Sequence, residues 1–248
     1  MRMAYRYFIR LAYDGTRYHG WQVQPNGRSV QEEITNAFET IWKLQINLVG
    51  CGRTDTGVHA REYYAHFEME SLKGKEDLGE MTYRLNRYLD QDIVILDIYP
   101  VAPDMHARFS AISRTYKYHI HTRKDPFLND CSWFIQGKLD VDRMNEGAKM
   151  LMATDDFTSF SKLHSAAKTN ICHVKQAQWE RQDHRLVFTI TADRFLRNMV
   201  RAIVGTLVDL GEGKISLEDL KAIIDGKDRS LAGESVPAKG LFLAEVKY

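Results

Sequence analysis

The spacing of hydrophobic positions changes several times along the chain, and each change marks an element. Tyr5, Tyr7, Ile9, Leu11 and Tyr13 alternate with Arg6, Phe8 and Arg10, and a period of two predicts a strand over 5–13. Asp14-Gly15-Thr16 ends it, and an aromatic, amide-rich loop runs through 18–25. Ser29 and Glu32 have the spacing of a capping box. Val30, Ile34, Ala37, Phe38 and Ile41 follow at helical intervals, predicting a helix over 30–43. Residues 44–49 read as a short strand, 60–69 as another, and 71–77 as a polar linker with Gly74. Leu78, Met81, Leu85 and Leu89 mark a second helix carrying Arg84, Asn86 and Arg87, and 92–99 is a strand dense in isoleucine and valine.

The second half follows a similar order. Residues 109–122 alternate, with Ile112, Arg114, Tyr116, Tyr118 and Ile120 on one face. Val141, Met144, Ala148 and Leu151 mark a helix, 157–168 a loop rich in serine and lysine, and 171–181 with 185–192 a hairpin around Gln182-Asp183-His184. Residues 195–210 read as a helix ended by Gly211, a usual residue just past a helix end. Ser216 and Asp219 cap a last helix through Ile224, and 241–248 is a final strand. Hairpins mixed with helices favour an α+β fold with antiparallel sheets over a doubly wound one. The order of elements suggests two loosely duplicated ferredoxin-like (RRM-like) halves, with domains at 1–105 and 106–248. No repeat is visible in the sequence itself.

The 248 residues allow one or two domains. The formal net charge is +1, so a polyanionic partner would have to be met by local clusters. Cys51, Cys131 and Cys172 are few and far apart, which suggests neither a disulfide framework nor a paired metal site. The first residues are interrupted by Arg6 and Arg10 and lack the apolar core of a signal peptide. No apolar run reaches the length of a membrane span. A reducing, cytoplasmic setting is expected.

Between the strands expected at 44–49 and 60–69 lies Cys51-Gly52-Arg53-Thr54-Asp55-Thr56-Gly57-Val58-His59-Ala60. Gly52 and Gly57 can take positive φ, and Asp55 can bond its own backbone two residues on. A carboxylate two residues after a guanidinium is a candidate reactive site. It is equally a salt-bridged turn, the commoner use of such residues. Arg194, Arg197 and Arg201 fall at i, i+3 and i+7, which on a helix is one face. Asp193 could pair with Arg197 or cap the helix. Such a stripe suits phosphates, or is simply a solvated face. Tyr18, Trp21, Tyr64 and Tyr116 could stack on bases, although most aromatics serve burial. His119 and His121 share a strand face, but no HExxH or paired CxxC supports a metal. Nor is there a phosphate-binding, dinucleotide-binding or serine-nucleophile motif.

Gly52-Arg53-Thr54-Asp55-Thr56-Gly57-Val58-His59-Ala60 resembles the active-site motif of the tRNA pseudouridine synthase A family. Tyr13-Asp14-Gly15-Thr16 with Gly20-Trp21-Gln22-Val23-Gln24-Pro25 resembles that family's N-terminal signature. Arg84-Leu85-Asn86, His106-Ala107-Arg108-Phe109-Ser110-Ala111, Ser113-Arg114-Thr115-Tyr116-Lys117-Tyr118, Asp156-Phe157-Thr158-Ser159-Phe160, Phe195-Leu196-Arg197-Asn198-Met199-Val200-Arg201 and Gly240-Leu241-Phe242-Leu243 match further blocks, in the same order. Thr56 stands where the family usually has alanine, and 168–172 lacks an arginine often found there.

The resemblance implies a two-domain α+β homodimer with a central active-site cleft between its domains. It implies isomerisation of uridine to pseudouridine at positions 38, 39 and 40 of the tRNA anticodon stem-loop, without metal or organic cofactor. Asp55 is then the essential carboxylate, as nucleophile or base. Arg53 is its natural electrostatic partner and could fill the gap left by a flipped base. Tyr116 is the candidate to stack on the uracil and to assist loss of the C5 proton. Leu241 is expected to form an apolar wall. Arg194, Arg197, Arg201, Arg84 and Asn86 are assigned to tRNA binding. A non-catalytic RNA-binding module of the same fold is the competing class, and a metal-dependent nuclease a third.

Overall fold

Strand β1 (Ala4–Tyr13) is the axis of the first half of the chain. A computed structural model of the protein describes residues 4–25, 27–70, 77–162 and 168–248. They divide into two compact units, Met1–Ile112 with Leu243–Tyr248, and Ser113–Phe242. In the first unit β1 lies between β3 (His59–Glu70) and β4 (Ile93–Pro100), antiparallel to both. The two-residue β2 (Val49–Gly50) is antiparallel to β3 on its other side. Helices α1 (Val30–Trp42) and α2 (Leu78–Tyr88) are the links α1 before β2 and α2 before β4.

Alternation along the strands makes two layers. Ile9 and Leu11 of β1 face Ala65 and Tyr63 on β3, and Ile98 and Ile95 on β4. These side chains are buried with Val30, Ile34 and Phe38 of α1 and Met81 and Leu85 of α2. Phe38 meets Phe67 edge-on, with ring centroids 5.1 Å apart. Phe8 points the other way, into an aromatic group with Tyr64, Tyr99, His66 and Tyr248.

The second unit is built on β5 (Ser113–His121), β7 (Val174–Gln182) and β8 (Arg185–Ala192). Strand β8 pairs antiparallel with both others, with Tyr118 opposite Phe188 and Phe188 opposite Trp179. The short β6 (Trp133–Phe134) runs parallel to β5. Helix α3 (Val141–Met152) precedes β7, and α4 (Met199–Gly211) and α5 (Leu217–Gly226) precede β9 (Leu241–Lys247). In α4 eleven residues are buried, the mark of a helix enclosed on nearly every side. The full reciprocal capping box expected at Ser216 and Asp219 is present. Mixed helices and mostly antiparallel strands make this an α+β fold, as the patterning suggests.

Four expectations differ from the structure. Of the strand read at 44–49 only Val49 pairs, because the Leu48 carbonyl accepts a bond from the Gln31 side chain at 2.7 Å. Strand β5 begins at Ser113 and not at 109. The amides of Arg108 and Phe109 instead donate to His106 Nδ1 at 3.1 and 3.2 Å, closing a turn. Strand β7 begins at Val174, after Ile171 makes a single bridge to Asp156. Helix α4 begins at Met199, four residues late, because Asn198 adopts left-handed φ 67°. The linker read at 71–77 falls outside the described residues except for Asp77, which caps α2. So does the 163–167 part of the loop read at 157–168.

One device occurs in both units. Asn86 on α2 accepts from the Ile95 amide at 2.7 Å and donates to the Ile95 carbonyl at 2.8 Å. Asn145 on α3 does the same to Trp179, at 2.7 and 3.1 Å. Ile95 and Trp179 lie on β4 and β7, the outermost strands. The amides thus satisfy outward-facing backbone groups and cover part of each sheet edge. Replacing Asn86 with alanine should destabilise the protein by about 1–3 kcal/mol, the cost of unpaired backbone polar groups, in a chemical-denaturation midpoint.

His66 carries a second expected outcome. It is buried, its Nδ1 accepts from the Ala107 amide at 3.1 Å, and its ring lies 4.5 Å from that of His106. Burial, then His106 and Arg6, push its pKa down from 6.5 to about 4, against an opposing pull from Glu68. The unfolded chain binds this proton near 6.5 and the folded one only near 4, so protons favour unfolding in between. Wild-type stability should fall as pH drops through that window. His66→Gln should show a shallower fall in denaturation midpoints taken across the same pH values.

Candidate active site

The stretch holding Asp55 has no regular structure and is shaped by its neighbours. Asp55–Val58 closes a turn, with the Val58 amide donating to the Asp55 carbonyl at 3.1 Å. Gly57 sits at φ 77°, as the third residue of such a turn demands. Gly52, by contrast, is not among the left-handed glycines. Asp55 is half-buried and Arg53 exposed.

Segment 13–21 braces this loop from below. The Tyr13 hydroxyl and Thr54 Oγ1 are 2.8 Å apart in a buried hydrogen bond. The Trp21 amide donates to the Thr54 carbonyl at 3.4 Å, and the Gly57 amide to the Tyr18 carbonyl at 3.3 Å. The Tyr63 hydroxyl donates to the Gly52 carbonyl. Trp21 stacks on Tyr63 at 4.1 Å, and Tyr13 lies 5.6 Å from Tyr63. The Gly15 amide donates to His59 Nδ1 at 3.1 Å, and the same nitrogen lies 3.1 Å from an Asp14 carboxylate oxygen. Burial raises the pKa of Asp14, but the Thr16 hydroxyl and amide and His59 outweigh it and hold the carboxyl below its ordinary value.

The approach is close enough to exclude side chains. A Cβ on Gly15 would lie 2.0 Å from the Val58 carbonyl oxygen, and one on Gly20, at φ 86°, would lie 2.3 Å from that of Thr54. Tyr18 and Trp21, read as stacking surfaces or as core, are core: they are 1% and 2% exposed. The bracing roles of Tyr13, Trp21 and Tyr63 were not foreseen. The available signal was the density of glycine and aromatics at 13–21, whose partner lies some 35 residues away.

Two other candidates belong to the same unit. The Arg84 guanidinium lies 5.2 Å over the Trp42 ring. Asn86 has its amide committed to Ile95, as described above.

The remaining candidates are in the second unit. Tyr116 is half-buried on β5 and meets Phe195 edge-on at 5.0 Å. Leu241 is buried at the start of β9. The three arginines do not form the helical stripe expected of them, because α4 starts only at Met199. Arg194 and Arg197 lie in the preceding loop, Arg197 exposed, and only Arg201 is helical. Its Nε donates to the Val236 carbonyl at 2.7 Å. Asp193 neither caps α4 nor pairs with Arg197. Its carboxylate accepts from the backbone of His173 and Arg194, and its carbonyl from Arg114. His119 meets Phe242 edge-on, and His121 Nδ1 lies 2.9 Å from Ser132 Oγ in the interior.

Comparison with known proteins places this arrangement. Residues 148–248 match a family described as tRNA pseudouridine synthase. A protein named tRNA pseudouridine synthase A in Parabacteroides distasonis is 50% identical over 243 residues, covering 98% of this chain and 96% of the relative. Its namesake in Bacteroides thetaiotaomicron is 51% identical over 246 residues, covering 98% and 90%. That in Porphyromonas gingivalis is 52% identical over 245 residues, covering 98% and 97%. The class is therefore the pseudouridine synthases that act on tRNA, which are isomerases. Within it, this chain belongs to the tRNA pseudouridine synthase A family.

The brace makes its own expected outcome. Gly20→Ala puts a Cβ against Thr54 and forces an alanine to positive φ. It should destabilise the protein by more than about 1 kcal/mol and disturb the Trp21 environment. Denaturation monitored by tryptophan fluorescence checks both.

Proposed function

We propose that this chain isomerises uridine to pseudouridine at positions 38, 39 and 40 of the tRNA anticodon stem-loop, with Asp55 as the essential carboxylate. The observation that carries the reading is the Asp55 loop itself. Tyr13, Tyr63 and the 13–21 segment hold this irregular stretch, and it presents a half-buried carboxylate. We read each unit as a ferredoxin-like half; in the first, α1 and α2 alternate with strands in the spatial order β4-β1-β3-β2.

The reaction exchanges one C–N bond for one C–C bond within one nucleoside. It therefore needs no redox partner and no group donor. Asp55 attacks C1′, attacks C6, or takes the proton that gives a glycal. Each route frees the base to turn, join C1′ through C5 and release the C5 proton. Flipping the uridine out of the stem costs a few kcal/mol, which pocket contacts must offset. In this reading Arg53 partners Asp55 or fills the vacated space. Tyr116 stacks on the uracil and Leu241 walls the pocket. Arg84, Asn86, Arg194, Arg197 and Arg201 meet the tRNA. The arginines do so as separate loop and helix positions, not as one stripe. The enzyme works as a cytoplasmic homodimer. Among the described residues no helix is long and apolar enough to cross a membrane.

Release of tritium from C5-labelled uridine in unmodified tRNA tests the proposal. Wild type should release it without added metal or cofactor. Asp55→Asn, nearly isosteric, should bind tRNA and release none. Equal release from both proteins would remove Asp55 from the chemistry. Tight binding with no release from either would favour the RNA-binding module.

A further inference from the structure

Thr54 stands between the two candidate reactive side chains and faces away from them. Residues 53–55 lie in neither a helix nor a turn, and along them Arg53 is exposed, Thr54 buried and Asp55 half-buried. That alternation has the period of two of extended backbone, in which neighbours project to opposite sides. Turning Thr54 inward therefore carries Arg53 and Asp55 outward. The inward direction is held at two atoms of one residue. Thr54 Oγ1 lies 2.8 Å from the Tyr13 hydroxyl in a buried hydrogen bond, and the Thr54 carbonyl accepts from the Trp21 amide at 3.4 Å. On either side the chain is gripped by its backbone: the Gly52 carbonyl accepts from the Tyr63 hydroxyl, and the Asp55 carbonyl from the Val58 amide.

Tyr13 is a firm anchor. It ends β1, is buried, and lies opposite Ala60 on β3 and Ile93 on β4. Its ring is 5.6 Å from that of Tyr63 and 6.4 Å from that of Trp21. A hydroxyl on a ring so enclosed can shift little. A phenyl ring and a branched methyl side chain would pack in this space without the two oxygens. What the oxygens add is direction, because a hydrogen bond weakens steeply away from its preferred angle.

We propose that Thr54 and Tyr13 are positioning residues for the isomerisation: the buried hydroxyl pair fixes Thr54 inward and thereby sets the direction in which Asp55 meets the uridine. This rests on the reading above that Asp55 is the essential carboxylate. Attack on carbon or removal of a proton needs that carboxylate at contact distance from one atom, and a misplacement of about 1 Å can cost about a hundredfold in rate. Neither hydroxyl touches the substrate, so the pair governs the chemical step and not the affinity for tRNA.

Three variants separate direction from stability. Tyr13→Phe and Thr54→Val each delete one oxygen, keep the shape and leave the other hydroxyl buried without this partner, so each lowers the denaturation midpoint. The double variant replaces both partners by apolar groups of the same shape and should regain most of that loss. Single-turnover release of tritium from C5-labelled tRNA uridine, with enzyme in excess and below every midpoint, should be about tenfold slower in each single variant. It should stay as slow in the double variant although stability has returned, because the two losses are one. Binding of tRNA should match wild type in all three, and Thr54→Ser, which keeps the hydroxyl, should release tritium at nearly the wild-type rate.

A rate that recovers together with stability in the double variant overturns the proposal, since the hydroxyls then act on stability alone. So do losses that multiply, a loss of affinity in place of rate, wild-type rates in the single variants, or a Thr54→Ser as slow as Thr54→Val. A wild-type protein that releases no tritium would refute the functional reading by itself. Hydrogen exchange of the Val58 amide, which is bonded to the Asp55 carbonyl, would still decide the anchor. It should be about tenfold faster in all three variants, and unchanged exchange would show that the hydroxyl pair does not hold the loop.

Discussion

The Asp55 loop depends on backbone lying directly against backbone. Gly15 and Gly20 approach the carbonyls of Val58 and Thr54 so closely that no Cβ fits between. Besides the Asp55–Val58 turn, the loop is held by bonds with Tyr13, Tyr18, Trp21 and Tyr63. Its shape is borrowed from 13–21, and that segment is fixed in turn by the contacts among Tyr13, Trp21 and Tyr63, of which Trp21 and Tyr63 stack. Side-chain rings in close-packed contact have little freedom to shift. The result is a carboxylate on irregular backbone that is as firmly seated as one on a strand. It also explains why two blocks of sequence far apart in the chain carry one site between them.

The units solve a second problem in parallel. Each unit has one strand at an end of the strand order, β4 or β7, whose outward backbone faces no further strand. Each uses an asparagine from an adjacent helix to fill one residue of that edge. The bond pair also sets the height of the helix along the sheet, because an asparagine side chain reaches only one residue. Burial of Met81 and Leu85, or of Met144, Ala148 and Leu151, fixes which face of the helix is inward. It leaves sliding along the axis open, and the amide closes that freedom.

Much of this was legible in the residues. Period-two and period-three-to-four spacing placed five helices and the long strands to within a few residues, because those elements bury one face and must alternate accordingly. What escaped was set by polar side chains, two of them reaching distant residues. Gln31 converts the Leu48 backbone from strand to side-chain acceptor. His106 folds 106–110 into a turn where alternation suggested strand. Asn198 breaks the helix that the apolar spacing of Phe195, Met199 and Ile203 promised, and with it the arginine stripe. Gln31 and His106 each found a backbone partner, and Asn198 found the Ser235 hydroxyl, none of which the apolar spacing records. For the site, motif resemblance supplied Asp55, whereas its brace was invisible until the chain was folded.

The arginines show why net charge was a poor guide to a polyanion partner. The chain has 34 basic and 33 acidic side chains, and the structure spends many of the guanidiniums on itself. Arg17 bonds Asp92, Arg28 bonds Glu33 and Asp90, Arg10 bonds Glu62 and Arg6 bonds Glu68. Arg143, Arg181 and Arg229 donate to backbone carbonyls. Exposed ion pairs of the first kind add little stability, about 0–1 kcal/mol each. Their consequence is electrostatic: each neutralises a surface that would otherwise attract any anion. In the proposed reading, an RNA is then met by particular guanidiniums and not by the net charge.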